Sequence, residues 1–141
     1  MAKSTTDPTP RPMLEWSMLP GKIVRVRTQG RGGRMTAELS AQLQEELGRL
    51  YAWIQQQFRG GPWREVVVLE NMQMVLDDEA AQIAQGGISF SETLNVARAA
   101  YVVESATMRL QFTRIFREQK MQDRLRTFAT EAEGLAFVRA K

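Results

Sequence analysis

The chain has 141 residues, the length of one domain, and its 43% hydrophobic and 25% charged residues are typical of globular proteins. It contains no cysteine and no histidine. This composition excludes thiol and imidazole nucleophiles, disulfides, and the zinc sites that those side chains build. We therefore expect a protein that is not an enzyme and that uses no metal and no cofactor.

The first twelve residues contain three prolines among small polar residues. This composition predicts a disordered N-terminal lead-in over residues 1–12, followed by a single domain over residues 13–141. No apolar run approaches the roughly 18–20 residues of a membrane span, and the first residues lack the apolar core of a signal peptide. We expect no membrane span and a cytoplasmic location.

Two short runs of alternating polarity, residues 13–18 and 23–29, flank a Pro-Gly pair and predict a β-hairpin. A third run, Trp63–Glu70, contains three valines and a leucine in succession. Such an uninterrupted apolar run is typical of a central strand that is buried on both faces.

Apolar residues at three- to four-residue spacing predict a helix that is capped by Thr36 and runs to about Gln57. A second helix is predicted after three carboxylates that suit the positive end of a helix dipole. We expect the pair Gly86-Gly87 to end that helix and Ser89 to begin another short turn. The three carboxylates are Asp77, Asp78 and Glu79.

The last third of the chain predicts, in order, an inner strand, a helix, an edge strand and a helix that opens with the capping pair Thr130 and Glu133. Their ranges are 99–103, 105–119, 125–128 and about 130–138. The resulting order, ββαβαβαβα, predicts an α/β fold with a mixed sheet of about five strands and helices mainly on one face. An exposed apolar strip on the other face would then favour a homodimer.

The net charge of +3 is unevenly distributed along the chain. Phe112 and Phe116 lie among the bases of a candidate basic patch, but their spacing places them on the inner side of the predicted helix. Because no aromatic stacking platform results, nucleic acid is not the favoured partner. The patch consists of Arg109, Arg114, Arg117, Lys120 and Arg124, with Arg126 at its end.

With this order of elements, the chain resembles STAS domains, the module of anti-sigma-factor antagonists and of sulphate-transporter tails, over about residues 13–139. Residues 33–39 (GRMTAEL) look like the family's strand-end glycine and first-helix start. Residues 66–84 (VVVLENMQMVLDDEAAQIA) look like its strand, loop and second-helix start, and residues 125–138 (LRTFATEAEGLAFV) like its last strand and helix. The last two stretches also resemble the STAS-related bacterial domains grouped with CRAL–TRIO lipid carriers.

The resemblance implies a non-enzymatic module that binds a protein partner or a small ligand near the start of the second helix. Asp77 stands at the family's aspartate position, whereas Asp78 and Glu79 replace its hydroxyl residues, so no phosphate can be added there. We therefore predict a bacterial signalling or protein-interaction module without the phosphorylatable serine. Asp77, Asp78 and Glu79 are the predicted contact residues, and the alternative for this cluster is simple helix capping.

A second reading of the same sequence is a carrier of a small apolar ligand or lipid. The chain has eight methionines and several phenylalanines that could line a pliable pocket. The same side chains could also form an ordinary core. The candidate pocket residues are Phe58, Phe90, Phe112 and Phe116.

Overall fold

A computed structural model describes residues 12–30, 36–71 and 77–140 of the chain. Nearly all of the predicted lead-in, and the glycine-rich segment after Gly30, lie outside the described residues. No helix of the described part is long and apolar enough to span a membrane. The elements are β1 (Leu14–Leu19), β2 (Ile23–Gln29), α1 (Ala37–Phe58), β3 (Trp63–Glu70), α2 (Asp78–Thr93), β4 (Val96–Val103), α3 (Ala106–Glu118), β5 (Leu125–Phe128) and α4 (Glu131–Arg139).

The five strands form one sheet in the order β1-β2-β3-β4-β5, in which β1 is antiparallel to β2 and the other neighbours are parallel. The predicted α/β fold, element order and mixed sheet are therefore confirmed. Strand β3 lies at the centre and β5 at an edge, as the apolar run and the flanking arginines predicted. Across the hairpin, Glu15 stands opposite Arg27, with 3.9 Å between Oε1 and Nη1.

Helices α1 and α4 begin at the capping residues that the sequence predicted. Thr36 Oγ1 accepts a hydrogen bond from the Leu39 N–H at 3.1 Å. Thr130 Oγ1 accepts from the Glu133 N–H at 3.3 Å and donates to the Glu133 carboxylate at 2.9 Å. These bonds satisfy amide groups that have no partner within the first turn of a helix. Strand β4 begins at Val96, three residues before the predicted start.

Helix α2 differs from the prediction because it continues through Gly86 and Gly87 as far as Thr93. Each helical glycine costs about 1 kcal/mol relative to alanine, but packing against a neighbouring helix overrides that propensity. At Gly87 the reason is visible: a Cβ atom there would lie 2.9 Å from the Tyr51 hydroxyl of α1. Ser89 accordingly lies inside α2 and does not begin a new turn.

The two faces of the sheet are both covered. Helices α1, α2 and α3 contribute to the larger hydrophobic cluster on one face, and α4 packs on the other. Val66 and Val68, whose side chains point towards α4, are only 0% and 7% exposed. The prediction of an exposed apolar strip on β3 is therefore wrong, and the reason for expecting a homodimer no longer applies. The cause is α4, which returns across the sheet after β5.

Arginines of the sheet hold both ends of α4. At the first turn, Arg25 Nε of β2 lies 2.6 Å from Glu131 Oε2. At the last turn, Arg64 Nη1 of β3 donates to the carbonyl oxygens of Val138 and, at 2.7 Å, of Ala140. The second contact satisfies carbonyl groups that a helix end leaves without intrahelical partners.

Close packing of α4 depends on Gly134. A Cβ atom at this position would lie 3.1 Å from Ala100 Cβ and 3.2 Å from Val102 Cγ2. We expect Gly134→Ala to lower the free energy of unfolding by about 1–3 kcal/mol, the usual cost of overpacking a core. Chemical denaturation with urea measures this change.

Gly48→Ala is the matched control, because Gly48 is also helical but a Cβ atom there has no neighbour within 4 Å. This change should raise stability by roughly 0.5–1 kcal/mol. Equal effects of the two substitutions would contradict the tight seating of α4.

Candidate functional site

A groove of about 410 Å³ lies between α1 and α2. The rings of Tyr51 and Phe90 stack across it with centroids 4.7 Å apart. Gly48 and Gly86 border the groove, and nothing lies within 4 Å of a Cβ atom built at either position. A side chain at either position would therefore extend into open space.

A smaller cavity of about 100 Å³ lies between this groove and the sheet. Groove and cavity share four lining residues and are therefore adjacent. The shared residues are Leu47, Tyr51, Ile83 and Gly87. Most of the cavity wall is apolar, and its polar members include Glu65 of β3 and Ser91 of α2.

Glu65 is the unusual residue of this cavity. It is only 3% exposed and lies in the middle of the sheet, paired with Val24 of β2 and Ala99 of β4. Burial raises the pKa of its carboxyl to about 8. A carboxyl group is thus held in an apolar cavity without a cationic partner from the described chain.

Two tyrosines lie close to this carboxyl. Burial, followed by the Glu65 charge, raises the pKa of both Tyr51 and Tyr101, so both remain neutral phenols. The Tyr51 hydroxyl donates to the Gly87 carbonyl at 3.2 Å and also hydrogen-bonds with the Ser91 hydroxyl. Helices α1 and α2 are therefore joined by polar contacts at the junction of groove and cavity.

The charge of the site has one sign. Glu65 and Glu79 are the ionisable acids among the described residues that line the groove and the cavity, and those residues include no lysine or arginine. No cluster of three or more potential metal-binding side chains occurs within residues 12–30, 36–71 and 77–140. The described lining is therefore largely apolar, and its two carboxyl groups face no base.

The three predicted contact residues have different roles. Asp77 caps α2, since its Oδ1 accepts a hydrogen bond from the Ala80 N–H at 2.9 Å. Asp78 and Glu79 are exposed in the first turn, where their charges suit the helix dipole. Of the three, only Glu79 lines the groove. Capping is confirmed for Asp77, and contact with a partner stays a prediction for the cluster.

Two arginines of the predicted basic patch make contacts with other residues of the fold. Arg109 Nη1 donates to the Val103 carbonyl at 2.6 Å, and Arg124 Nη2 lies 3.0 Å from Glu92 Oε2. As predicted, the two aromatic residues among these bases, Phe112 and Phe116, are buried. The remaining members of the patch are exposed: Arg114, Arg117 and Lys120.

The sequence analysis missed Glu65, although the strand contained a signal for it. In a strand, alternate residues share a face, so Glu65 lies on the same face as Val67 and Leu69. An acidic residue on an inward face of a strand predicted to be buried on both sides has no ordinary structural use. That mismatch would have identified Glu65.

No family model matches the chain, and neither the curated proteins nor the solved structures contain a significant match. The resemblance to STAS domains therefore stays a prediction, and the site is interpreted from its own geometry.

Glu65 predicts a specific pH dependence of stability. The pKa of Glu65 is higher in the folded chain than in the unfolded one, so the folded chain binds the Glu65 proton more tightly. The contribution of this proton to stability is fully present below about pH 4.5 and is lost as the pH rises to about 8. Glu65→Gln should remove a slope of about 1 kcal/mol per pH unit over this range. Urea denaturation at several pH values measures the slope, and identical profiles for the two proteins would contradict the burial of an ionisable carboxyl.

Proposed function

We propose that this protein binds a small, mainly apolar molecule in the space between α1 and α2. The observation that carries the proposal is the 410 Å³ groove beside a cavity with the Glu65 carboxyl in its wall. This proposal is the ligand-carrier alternative that the sequence favoured second.

The composition and size of the space support this proposal. Ligand sites in proteins are concave, largely apolar and supplied with a few polar groups, with volumes of roughly 300–1,000 Å³. The groove and cavity combine apolar walls with the hydroxyl of Tyr51 and the carboxyl of Glu65. A buried carboxyl with a raised pKa is also more frequent at functional sites than in ordinary cores.

Filling the groove tests the proposal. Gly48 faces open space on the α1 side, so Gly48→Leu should occupy the groove without displacing the helices. With n-hexanol as the probe, we expect the amide chemical shifts of Gly86, Gly87 and other groove residues to change in the wild-type protein. The shifts should change much less, by about tenfold at equal probe concentration, in Gly48→Leu.

Gly48→Ala is the control for this experiment, because it changes the helix propensity in the same direction but adds only one carbon. It should bind n-hexanol like the wild type. Shift changes scattered over the surface, or equal changes in Gly48→Leu, would mean that the groove is not a binding site.

We further propose a protein-contact role for the acidic start of α2, the function that the resemblance to STAS domains implies. The observation that favours it is that Asp78 and Glu79 are exposed while Asp77 alone provides the cap. Carboxylates that the fold does not require are available to a basic partner surface.

The double substitution of Asp78→Asn and Glu79→Gln tests this second role. It should weaken capture of a partner from extracts of the producing cells by about tenfold or more, while the melting temperature falls only slightly because the Asp77 cap remains. Capture of the same proteins in the same amounts by wild type and variant would contradict the contact role.

A further inference from the structure

We propose that the molecule bound between α1 and α2 carries an amine, held as an ammonium ion against the Glu65 carboxylate in the inner cavity. This inference rests on the proposed ligand-binding function and specifies the chemical class of the ligand.

The charge of the lining residues is the first argument. Among the described residues around groove and cavity, Glu65 and Glu79 are acidic and none is basic. Within this described lining an anionic ligand would meet two carboxyl groups and no base, and a purely apolar ligand would offer Glu65 no counter-charge. A cation supplies the counter-charge that a buried carboxylate requires.

The aromatic residues around the carboxyl form the second argument. Tyr51, Tyr101 and Phe112 all line the cavity, and the last two rings have centroids 5.3 Å apart. The faces of aromatic rings carry partial negative charge and attract organic cations, most strongly where water is excluded. The surroundings of Glu65 therefore favour a positive group over a neutral one of equal size.

The sizes of the cavity and the groove suit a ligand with two parts. The inner cavity of about 100 Å³ has room for an ammonium group with its first carbons, and the groove of about 410 Å³ has room for a larger body. Leu47 and Ile83 line both spaces, so the connecting portion of the ligand lies against aliphatic side chains. The expected ligand is an amine with an apolar body of several carbons.

Among the described residues of the cavity wall, Glu65 is the one that titrates near neutral pH. Each element packed around Glu65 contributes a side chain to the cavity wall. These side chains are Leu14 of β1, Thr28 of β2, Tyr51 of α1, Ser91 of α2, Tyr101 of β4 and Phe112 of α3. Among the described residues of the cavity wall, the only titratable groups besides Glu65 are the two tyrosines. Since burial raises both tyrosine pKa values, neither ionises near neutral pH.

Binding of an ammonium ion is therefore coupled to a proton. Burial raises the pKa of Glu65 to about 8, so below that pH the carboxyl must lose its proton to the solvent before it can pair with the cation. An alkylamine itself remains protonated, because its pKa is close to the 10.4 of a lysine side chain. Affinity should rise with pH up to about 8 and then level off.

Titration calorimetry with three probes of equal chain length tests the inference: n-hexylamine, n-hexanol and n-hexanoate. At pH 8 we expect n-hexylamine to bind at least about tenfold more tightly than n-hexanol, and n-hexanoate to bind most weakly. Between pH 6 and pH 8 the affinity for n-hexylamine should rise up to about tenfold per pH unit, with release of nearly one proton per amine bound. Titrations in buffers of different ionisation enthalpy count that proton without any substitution.

Glu65→Gln keeps the shape of the side chain and removes its charge. It should reduce n-hexylamine to the affinity of n-hexanol and abolish the pH dependence, whereas binding of n-hexanol stays within about twofold of the wild type. Glu45→Gln is the matched control, since Glu45 is an exposed carboxylate of α1 that does not line the groove. It should leave the preference for the amine unchanged.

The possible results separate the two levels of the proposal. If n-hexanol binds in the groove but n-hexylamine binds no more tightly, or if Glu65→Gln retains the preference, the amine assignment is wrong and the ligand site stands. Tighter binding of n-hexanoate than of n-hexylamine also overturns the amine assignment. If none of the three probes binds, the proposed ligand-binding function itself fails.

Discussion

Strand β3 has helices packed against both of its faces, and this burial on two sides constrains every neighbouring element. Val66 and Val68 require a cover on one face, which α4 provides, and Val67 requires another, which the α1, α2 and α3 layer provides. The close approach of α4 requires a glycine at position 134. The hairpin and the edge strand then complete a sheet whose centre is apolar on both faces.

Glu65 is the exception within that strand, because it places a carboxyl on a face whose other residues are apolar. An isolated carboxyl is expensive to bury, and the free-energy cost grows with the pH as the group ionises. This carboxyl is buried and lines the cavity beside the α1–α2 groove. Gly48 and Gly86 leave that groove unfilled, and Gly87 makes room for the Tyr51 hydroxyl, each at some cost in helix propensity.

The groove and the acidic start of α2 are neighbouring surfaces. Glu79 belongs to both, because it lies in the first turn of α2 and lines the outer groove. A partner that covered Asp78 and Glu79 would therefore also restrict access to the groove. Under the two proposals, ligand and partner would bind at adjacent positions, and their affinities would be coupled by this shared residue.

The sequence by itself determined the order of elements, the central position of β3, most helix starts and the exclusion of cysteine and histidine chemistry. These features depend on local patterns: apolar periodicity, capping residues such as Thr130, and composition. Only the tertiary structure decided that α2 continues through Gly86-Gly87, that α4 covers the second face and that Glu65 lines a cavity. Each of these depends on contacts between residues far apart in the chain, such as Tyr51 with Gly87 or Gly134 with Ala100, and packing of that kind overrides local propensity.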